Sequence, residues 1–575
     1  MQRRIPSLFR AISLALVAST PAWVSSTPAL AQVVLAPVVP QVGSSNPVSP
    51  EPAVIRPGTT PCSVALFSDL KFADYGTKPI AYTPPLGPGC AGPWSKVVLT
   101  ADFTVTAGRQ FDRTAKFFLG GANIYFGTTA EPRAILSPSW HIERDVTDLS
   151  TIFAQPQTGV ASIQNIVNST YTGVIYATAT LLFYPADAAN PAAATPNVVL
   201  SLARNTTTFV NSTSDSQSAT LTLPRNIERA YLDVIAQSQA SDEFWYACVP
   251  TPYAADLQNC GNTGFRETEV AIDGIPAGVA PVYPWIYTGG LDPYLWEPIT
   301  GIETLNFKPY RVDLTPFAGL LSDGKPHTVS VSVFNAMSGF DLASNLLLYT
   351  DPNASTVSGG LLMDTLAAAP TVNVEAYLNT AADGTVSGPV NVSSARDWTI
   401  SGYLQTSHGR VDTTIQASNS FKNYQSEKVS GVEYKQEITQ GTEQHEQTTT
   451  VSDAGMVQTV HDVTYPLIVN YRQAPNDNND GGFFVASHVK QGKLEEMRGQ
   501  NGPNSADPAV SNETVETSDT LHYSAAGAFL GHDNNFAKSS YGSKDTFHNC
   551  YYRGLIAEAL VLTHVEDSTS CSMAP

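Results

Sequence analysis

From Cys62 onward the chain alternates between short apolar or Thr-rich runs and punctuation by Gly, Pro and Asn, roughly every ten residues. Lys96–Thr106, Ala115–Phe126, Gly173–Tyr184, Ala219–Leu223, Ala230–Gln237 and His327–Ala336 are such runs. In the last of them Val329, Val331 and Val333 alternate with Ser330 and Ser332, the period-two signature of a half-buried strand. Helical periodicity is scarce. Many short strands with frequent turns predict an all-β chain built of antiparallel sandwiches.

The punctuation also divides the chain. Pro185–Pro196 (PADAANPAAATP) reads as a linker between two sandwiches. Residues 61–185 are expected to form the first sandwich, 186–215 the linker and 216–352 the second. A softer break falls near Asp351–Leu366, after which Thr, Ser, Gln and Val dominate, so 353–575 is expected to be a third, β-rich region. Within it, Trp398–Ser401 and Arg410–Ala417 read as strands around a Ser-His-Gly turn at 407–409, and Val429–Val451 as a long polar ribbon. Residues 32–60 are rich in Pro, Val and Ser without periodicity, which predicts an extended leader. Residues 1–31 carry Arg3, Arg4 and Arg10, an apolar stretch Ala11–Ala18 and the small-x-small triplet Ala29-Leu30-Ala31, the layout of a secretory signal. No later run is long and apolar enough for a transmembrane helix, so a secreted or periplasmic protein, not a membrane protein, is expected.

Composition narrows the partners. Asp and Glu number 51 against 31 Lys and Arg, a formal net charge of -20, and no basic run occurs. That argues against nucleic acid and anionic membrane surfaces. Only 14% of residues are charged, so Ser, Thr, Asn and Gln must supply much of the polar surface. Hydrophobic content of 42% is ample for real cores. Cys62, Cys90, Cys248, Cys260, Cys550 and Cys571 suit an exported chain. Pairing of nearest neighbours (62–90, 248–260, 550–571) would close short local loops and is the expected connectivity. No CxxC or HExxH spacing occurs, and no metal or other cofactor is expected. Asn476–Gly482 (NDNNDGG) resembles a calcium loop only loosely, because Ser487 stands where a bidentate Glu is needed; it reads as a polar turn. Asn-x-Ser/Thr sequons at Asn168, Asn205, Asn211, Asn353, Asn391 and Asn512 matter only in a host that glycosylates.

Three segments carry chemistry. Phe111-Asp112-Arg113 sets a carboxylate beside a guanidinium just before a strand. A local ion pair is the commoner meaning of such a dipeptide; the functional one is a carboxylate held ionised and oriented as a general base. Asp242-Glu243-Phe244-Trp245-Tyr246 sets two acids against three aromatics, a wall that raises a carboxyl pKa by desolvation and makes a proton donor, or else a core plug at a strand end. Tyr283–Ile302 (YPWIYTGGLDPYLWEPITGI) holds Trp285, Tyr287, Asp292, Trp296 and Glu297 among prolines and glycines that forbid regular structure. Such a loop is either a packed cap or a platform for sugar rings. Glu267 and Glu269 alternate in the run after Phe265 and are read as solvated in preference to lining the same face as Glu243.

Several of these segments together are similar to the peptide-N-glycosidase A family, the plant glycoamidases with acid-active bacterial members. They are RAYLDVIAQSQASDEFWYACVP, FRETEVAIDG, the 283–302 loop, PYRVDLTPFAGLLSDGKPHTVSVSVFNA, TYTGVIYATATLLFYP and WHIERDVTDLSTIF, within about residues 60–350. A more distant likeness is to the peptide-N-glycosidase F family, which pairs two jelly rolls. The resemblance implies two antiparallel jelly-roll-like sandwiches plus the C-terminal β-rich region. It implies hydrolysis of the amide between an N-linked glycan and its asparagine, turning Asn into Asp, at acidic pH and with tolerance of core α1,3-fucose. N-glycosylated peptides and glycoproteins would be the partners, and the protein a monomer.

Residue by residue, Asp112 takes the place of the catalytic carboxylate and Arg113 that of its neighbour, with Phe111 where the distant family has Trp. Glu243 takes the second functional acid's place. A third acid of that family falls near Val167–Asn168, where this chain has none. Arg113, Trp245, Tyr246, Trp285, Tyr287, Asp292 and Trp296 are the expected substrate-binding residues. Two other functions fit parts of the pattern: a secreted glycan-binding or cell-surface sandwich without catalysis, and an exo-acting glycoside hydrolase with two carboxylates across one sugar bond.

Overall fold

The alternation read at 327–336 is that of a strand, Pro326–Phe334, with Val329, Val331 and Val333 buried. The same logic holds throughout this computed structural model, which describes residues 40–573 apart from 88, 477–479, 502–507 and 546–548. The expected secretory signal and the start of the leader lie outside the described residues, as does the middle of the NDNNDGG turn. Strands dominate; the helical pieces are single turns such as Ser150–Phe153 and Ala318–Leu321. No described helix is long and apolar enough to cross a membrane.

In the first stretch, Cys62–Phe72, Ile175–Pro185, Trp94–Val105 and Ser139–Asp145 form one antiparallel sheet. Lys78–Tyr82, Gln157–Ile163, Thr114–Leu119 and Ala122–Thr128 form the other. Phe103, Leu99 and Phe183 of one meet Phe117, Tyr125 and Ile163 of the other in a shared core. Counted along their own stretch, the eight strands run 1-8-3-6 and 2-7-4-5, the double Greek-key order of a jelly roll. The second stretch repeats that order: Thr208–Val210, Phe340–Thr350, Ile227–Ser238 and Tyr310–Asp313 against Ser216–Thr222, Pro326–Phe334, Glu267–Ile272 and Ile275–Pro281. Residues 198–201 and 208–210, expected within the linker, are strands paired with Phe340–Thr350. Val198, Leu200 and Val210 pack on the second core and Val199 on the first, which a free linker would leave exposed.

Residues 358–568 form one twelve-stranded antiparallel sheet, mostly an up-and-down meander of strands as long as Val386–Thr406, Gly409–Val429, Tyr434–Ser452 and Gly455–Pro475. Trp398, Phe421, Tyr465 and Val489 on its inner face belong to the core of the second sandwich. The polar ribbon is one of its strands. Inward positions alternate strictly along Thr413–Val429, but they include Asn419, Asn423, Gln425 and Glu427.

The leader straps these units together. Gly43 and Ser44 exchange backbone hydrogen bonds with Leu562, Val48 bridges Ile299, and Arg56 pairs with Glu143 of the first sandwich. The sandwiches meet through Asn123 and Asn345, which bond each other reciprocally at 3.2 and 2.9 Å. Lys116 pairs with Asp341 at 2.6 Å, and Gln237 donates to Thr114 at 3.1 Å. That last contact sets the start of Thr114–Leu119 beside the end of Ile227–Ser238. All three disulfides follow nearest-neighbour pairing: Cys62–Cys90, Cys248–Cys260 and Cys550–Cys571.

Candidate active site

Asp112 ends the loop that enters strand Thr114–Leu119, and Glu243 follows a single 3-10 turn after strand Ile227–Ser238. Because Thr114 touches Gln237, the two acids face one recess at the sandwich junction. Asp242 holds the Glu243 turn in place. Fully buried, it pairs with Arg266 at 2.8 Å and accepts the N–H groups of Met337, Ser338 and Gly339. Asp242 is so engaged, and Glu243 beside it is left free of ion pairs among the described residues.

A third acid joins them. Strands Thr114–Leu119 and Ala122–Thr128 form a hairpin through Gly120 and Gly121, both at positive φ, as a tight two-residue turn requires. Thr114 pairs with Thr128, so the chain just before one strand lies beside the chain just after the other, and Glu131 comes alongside Asp112. Thr288 then ties this segment to the aromatic loop: its hydroxyl accepts from Glu131 N at 2.8 Å and donates to Thr129 O at 3.0 Å. Gly289 N–H donates to Asp112 Oδ2 at 3.0 Å. A Cβ on Gly289 would stand 2.1 Å from Glu131 Oε2 and 3.4 Å from Asp112 Oδ1, so a larger residue would have to push the Glu131 carboxyl from its present place.

Burial and mutual repulsion set the proton affinities. Asp112 is raised by burial, against the pull of the Gly289 N–H and the charge of Arg113. Glu131 is pushed up to about 7, by burial first and then by the charge of Asp112, with Arg113 and Arg109 opposing. Glu243 is likewise pushed up to about 7, by burial and then by Asp112. Tyr287, whose hydroxyl donates to Ser238 O at 2.5 Å, is raised by burial and by the charges of Glu243 and Asp112. The recess thus holds one carboxylate able to accept a proton next to two that retain theirs in mildly acid solution.

Asp112 was expected to be held ionised by an Arg113 ion pair. No such pair forms: Arg113 Nη2 donates to Gln110 Oε1 at 2.7 Å, and the guanidinium stands over the Phe111 and Tyr171 rings. Desolvation outweighs the neighbour, and the carboxyl shifts upward instead.

The expected sugar platform is also corrected. Trp245, Tyr246, Trp285, Tyr287 and Trp296 are all buried. Trp245 packs on Phe421 of the long sheet, Trp285 sits 4.2 Å from Phe307 between ring centroids, and Trp296 Nε1 donates to Gly290 O. The long sheet packs on Trp245, whereas Trp285 and Tyr287 are buried against Phe307, with the Tyr287 hydroxyl on Ser238 O near Glu243 and Asp112. Asp292 is buried too, capping Tyr294 N and facing Asp519 of the sheet, whose charge together with burial raises it to about 7. It stays out of the three-acid recess. Glu267, expected to be solvated, is buried in an ion pair with Arg396 while accepting from Asn419.

The long sheet braces the site from behind with its inward amides. Asn423 donates to Tyr246 O, Gln425 to Cys248 O, Gln436 to Ala247 O and Gln491 to Pro284 O, at 2.7–3.1 Å. These bonds satisfy carbonyls of the two irregular segments that carry Glu243 and Gly289. Two cavities of about 1370 and 730 Å³ lie elsewhere, between the strap, the sandwiches and the sheet, and none of the three acids lines either.

Glu131 was not legible as a site residue, since nothing in its own neighbourhood marks it. The signal that identifies it is the Gly120-Gly121 hairpin, which folds 131 back toward 112. The other rim feature missed is Tyr171, whose ring lies 5.1 Å from that of Phe111.

A curated relative from Prunus dulcis, peptide-N4-(N-acetyl-beta-glucosaminyl)asparagine amidase A, is 32% identical over 332 residues, spanning 53% of this chain and 57% of its own length. Solved structures of PNGF-II and of a peptide-N(4)-(N-acetyl-beta-D-glucosaminyl) asparagine amidase align with TM-scores of 0.35 and 0.33 at 12% and 13% identity. They cover 51% and 52% of this chain and 66% and 98% of their own, and scores this low carry no argument about mechanism. The family model of peptide N-acetyl-beta-D-glucosaminyl asparaginase amidase A matches residues 47–357, more than half of the chain and both sandwiches, and the protein belongs to that family.

Proposed function

We propose that the protein is a peptide-N-glycosidase. It hydrolyses the amide joining an N-glycan to its asparagine, leaving Asp in the peptide and releasing the whole glycan as a glycosylamine that decays to free glycan and ammonia. The observation that carries this reading is the convergence of Asp112, Glu131 and Glu243 at the sandwich junction, inside the stretch that defines the family.

Amide hydrolysis adds water across the C–N bond, so it needs a base for the water and an acid for the departing nitrogen. Asp112 is assigned the base. Glu243 is assigned the proton donor, and Glu131 holds a second proton beside Asp112. Water loses its proton to Asp112 as its oxygen bonds the asparagine Cγ. The C–N bond breaks as the nitrogen takes a proton from Glu243.

An acidic working range follows from the raised carboxyls: activity falls as pH rises through about 7 and the donors ionise. Tolerance of core α1,3-fucose and a monomeric state are part of the proposal and rest on the family alone; export to the secretory or periplasmic space is part of it too and rests on the signal-like pattern of residues 1–31.

The test is incubation with N-glycopeptides, with and without core α1,3-fucose, from acidic to neutral pH, followed by mass spectrometry. Asp in place of Asn at the sequon supports the reading. Glycan loss that leaves one sugar on an intact Asn marks a glycoside hydrolase, and binding without turnover marks a lectin-like protein; either refutes it.

A further inference from the structure

At the edge of the recess two arginines converge on the same pair of rings. The guanidinium carbon of Arg109 lies 5.5 Å from the Phe111 centroid and 5.6 Å from that of Tyr171, and that of Arg113 lies 5.6 and 5.7 Å away. The backbone fixes this arrangement. Arg109 O accepts from Thr172 and Gly173 N–H, stapling the Tyr171 loop to the Arg109 turn. Gln110, buried, bonds Ile166 O, Gly173 O and the Arg113 guanidinium. Neither arginine forms an ion pair among the described residues, Arg109 is exposed, and Arg113 Nε is buried without a hydrogen-bond partner. Asp112, between them in sequence, turns its carboxylate away toward Gly289.

We propose that Arg109, with Arg113 and the Phe111–Tyr171 ring pair, is a subsite for a carboxylate on the substrate. It would take an acidic side chain or the free C-terminal carboxylate of the glycopeptide, close to the glycosylated asparagine. The inference deepens the amidase reading and rests on it. A guanidinium within cation–π range of two rings is attracted to them without consuming its charge, and Arg109, with no ion pair among the described residues, keeps that charge for a carboxylate. On a chain of net charge -20, a local positive rim also draws in an acidic group that the rest of the surface repels. The rim adjoins Asp112, so peptide flanking the scissile amide reaches it. Sialic acid, the other carboxylate of N-glycans, stands several sugars away at an antenna end.

The experiment compares kcat/KM for glycopeptides carrying one neutral glycan and differing only in a Glu, Gln or Lys near the sequon. Two further arms compare a free with an amidated C-terminus, and a sialylated with an asialo glycan on the neutral peptide. Wild type should favour the Glu and free-carboxylate peptides by about 5-fold over neutral ones, with Lys worst, and the preference should fade with added salt. Arg109→Gln should bring the ratio close to one, and Arg109→Lys should restore part of it. Equal kcat/KM for Glu and Gln peptides overturns the subsite, as does an equal fall for every peptide with a shifted pH profile, which would mean that Arg109 only tunes Glu131. A preference seen solely in the sialic acid arm overturns the peptide as source. Fluorescence polarisation with the same peptides on Asp112→Asn separates the two readings. Discrimination in binding without any wild-type turnover keeps the subsite and sinks the amidase; turnover without discrimination sinks the subsite alone.

Discussion

Replacing Asp112 by Asn tests the three-acid recess through two independent observables. The amide keeps the size of the side chain and an oxygen to accept the Gly289 N–H, so the loop contact at 3.0 Å survives. What disappears is the base and one of three crowded charges. Loss of a general base lowers the rate by roughly 10²–10⁴-fold.

The electrostatic consequence follows from the geometry. As a scale for the effect, two unit charges ~5 Å apart in a medium of effective dielectric ~20 repel by ~3 kcal/mol, about two pK units. Partial solvent access at the recess brings this to about 1–3 kcal/mol. In the wild type, Glu131 and Glu243 are raised from 4.5 to about 7, so the native state keeps protons that the unfolded chain has already released. Their effect is therefore a loss of stability as pH rises from about 4.5 to about 7. Without Asp112 both shifts shrink, and the fall becomes gentler. The variant should melt close to wild type at pH ~4 and gain by about 1–3 kcal/mol by pH ~8, a few degrees in melting temperature. The assay is thermal denaturation across that range, with turnover of one glycopeptide measured alongside. Melting curves of variant and wild type that stay parallel would refute a shared field among the acids. Near-normal turnover by the folded variant would remove Asp112 from the chemistry.

Glu131→Gln should lower turnover by about 10²-fold and change the descending limb of the pH–rate profile near 7; a profile and rate like wild type would make Glu131 a bystander. Gly289→Ala places a methyl where Glu131 Oε2 sits, but a carboxyl end can swing aside, so the protein should fold with a loss of about 1 kcal/mol while turnover falls more than 10-fold; equal turnover would show the close approach to be incidental. Gln425→Leu removes the bond to Cys248 O and leaves buried partners unmet, at a cost of about 1–3 kcal/mol read as a lower melting temperature; an unchanged melt would refute the bracing role of the long sheet.

The order of apolar and polar positions was enough to determine strand identity wherever the buried face is apolar, as at Val329, Val331 and Val333. Spacing and an exported chain made nearest-neighbour pairing the expectation for six cysteines that allow 15 pairings, the fold has that pairing, and the Asp112 and Glu243 segments stood out by residue type. The long sheet was much less legible. Its inward positions at 419, 423, 425 and 427 are polar, and a period of two is visible in hydrophobicity only when the buried side chains are hydrophobic. The aromatic loop shows the opposite failure. Its Trp and Tyr residues suit either a sugar face or a core, and only tertiary packing, Tyr283 on Tyr465 of the long sheet and Trp285 and Tyr287 on Phe307, decides for the core. Proton affinities were beyond the sequence for the same reason. Arg113 adjoins Asp112 along the chain and pulls its proton affinity down, but burial between the sandwiches outweighs both that charge and the Gly289 N–H, and the proton affinity of Glu131 in turn answers to burial and to Asp112 across a hairpin. Local pattern determines which way each strand faces, because that is settled between adjacent residues; the site depends on which strands end at the same place, and that is settled only when the sheets pack.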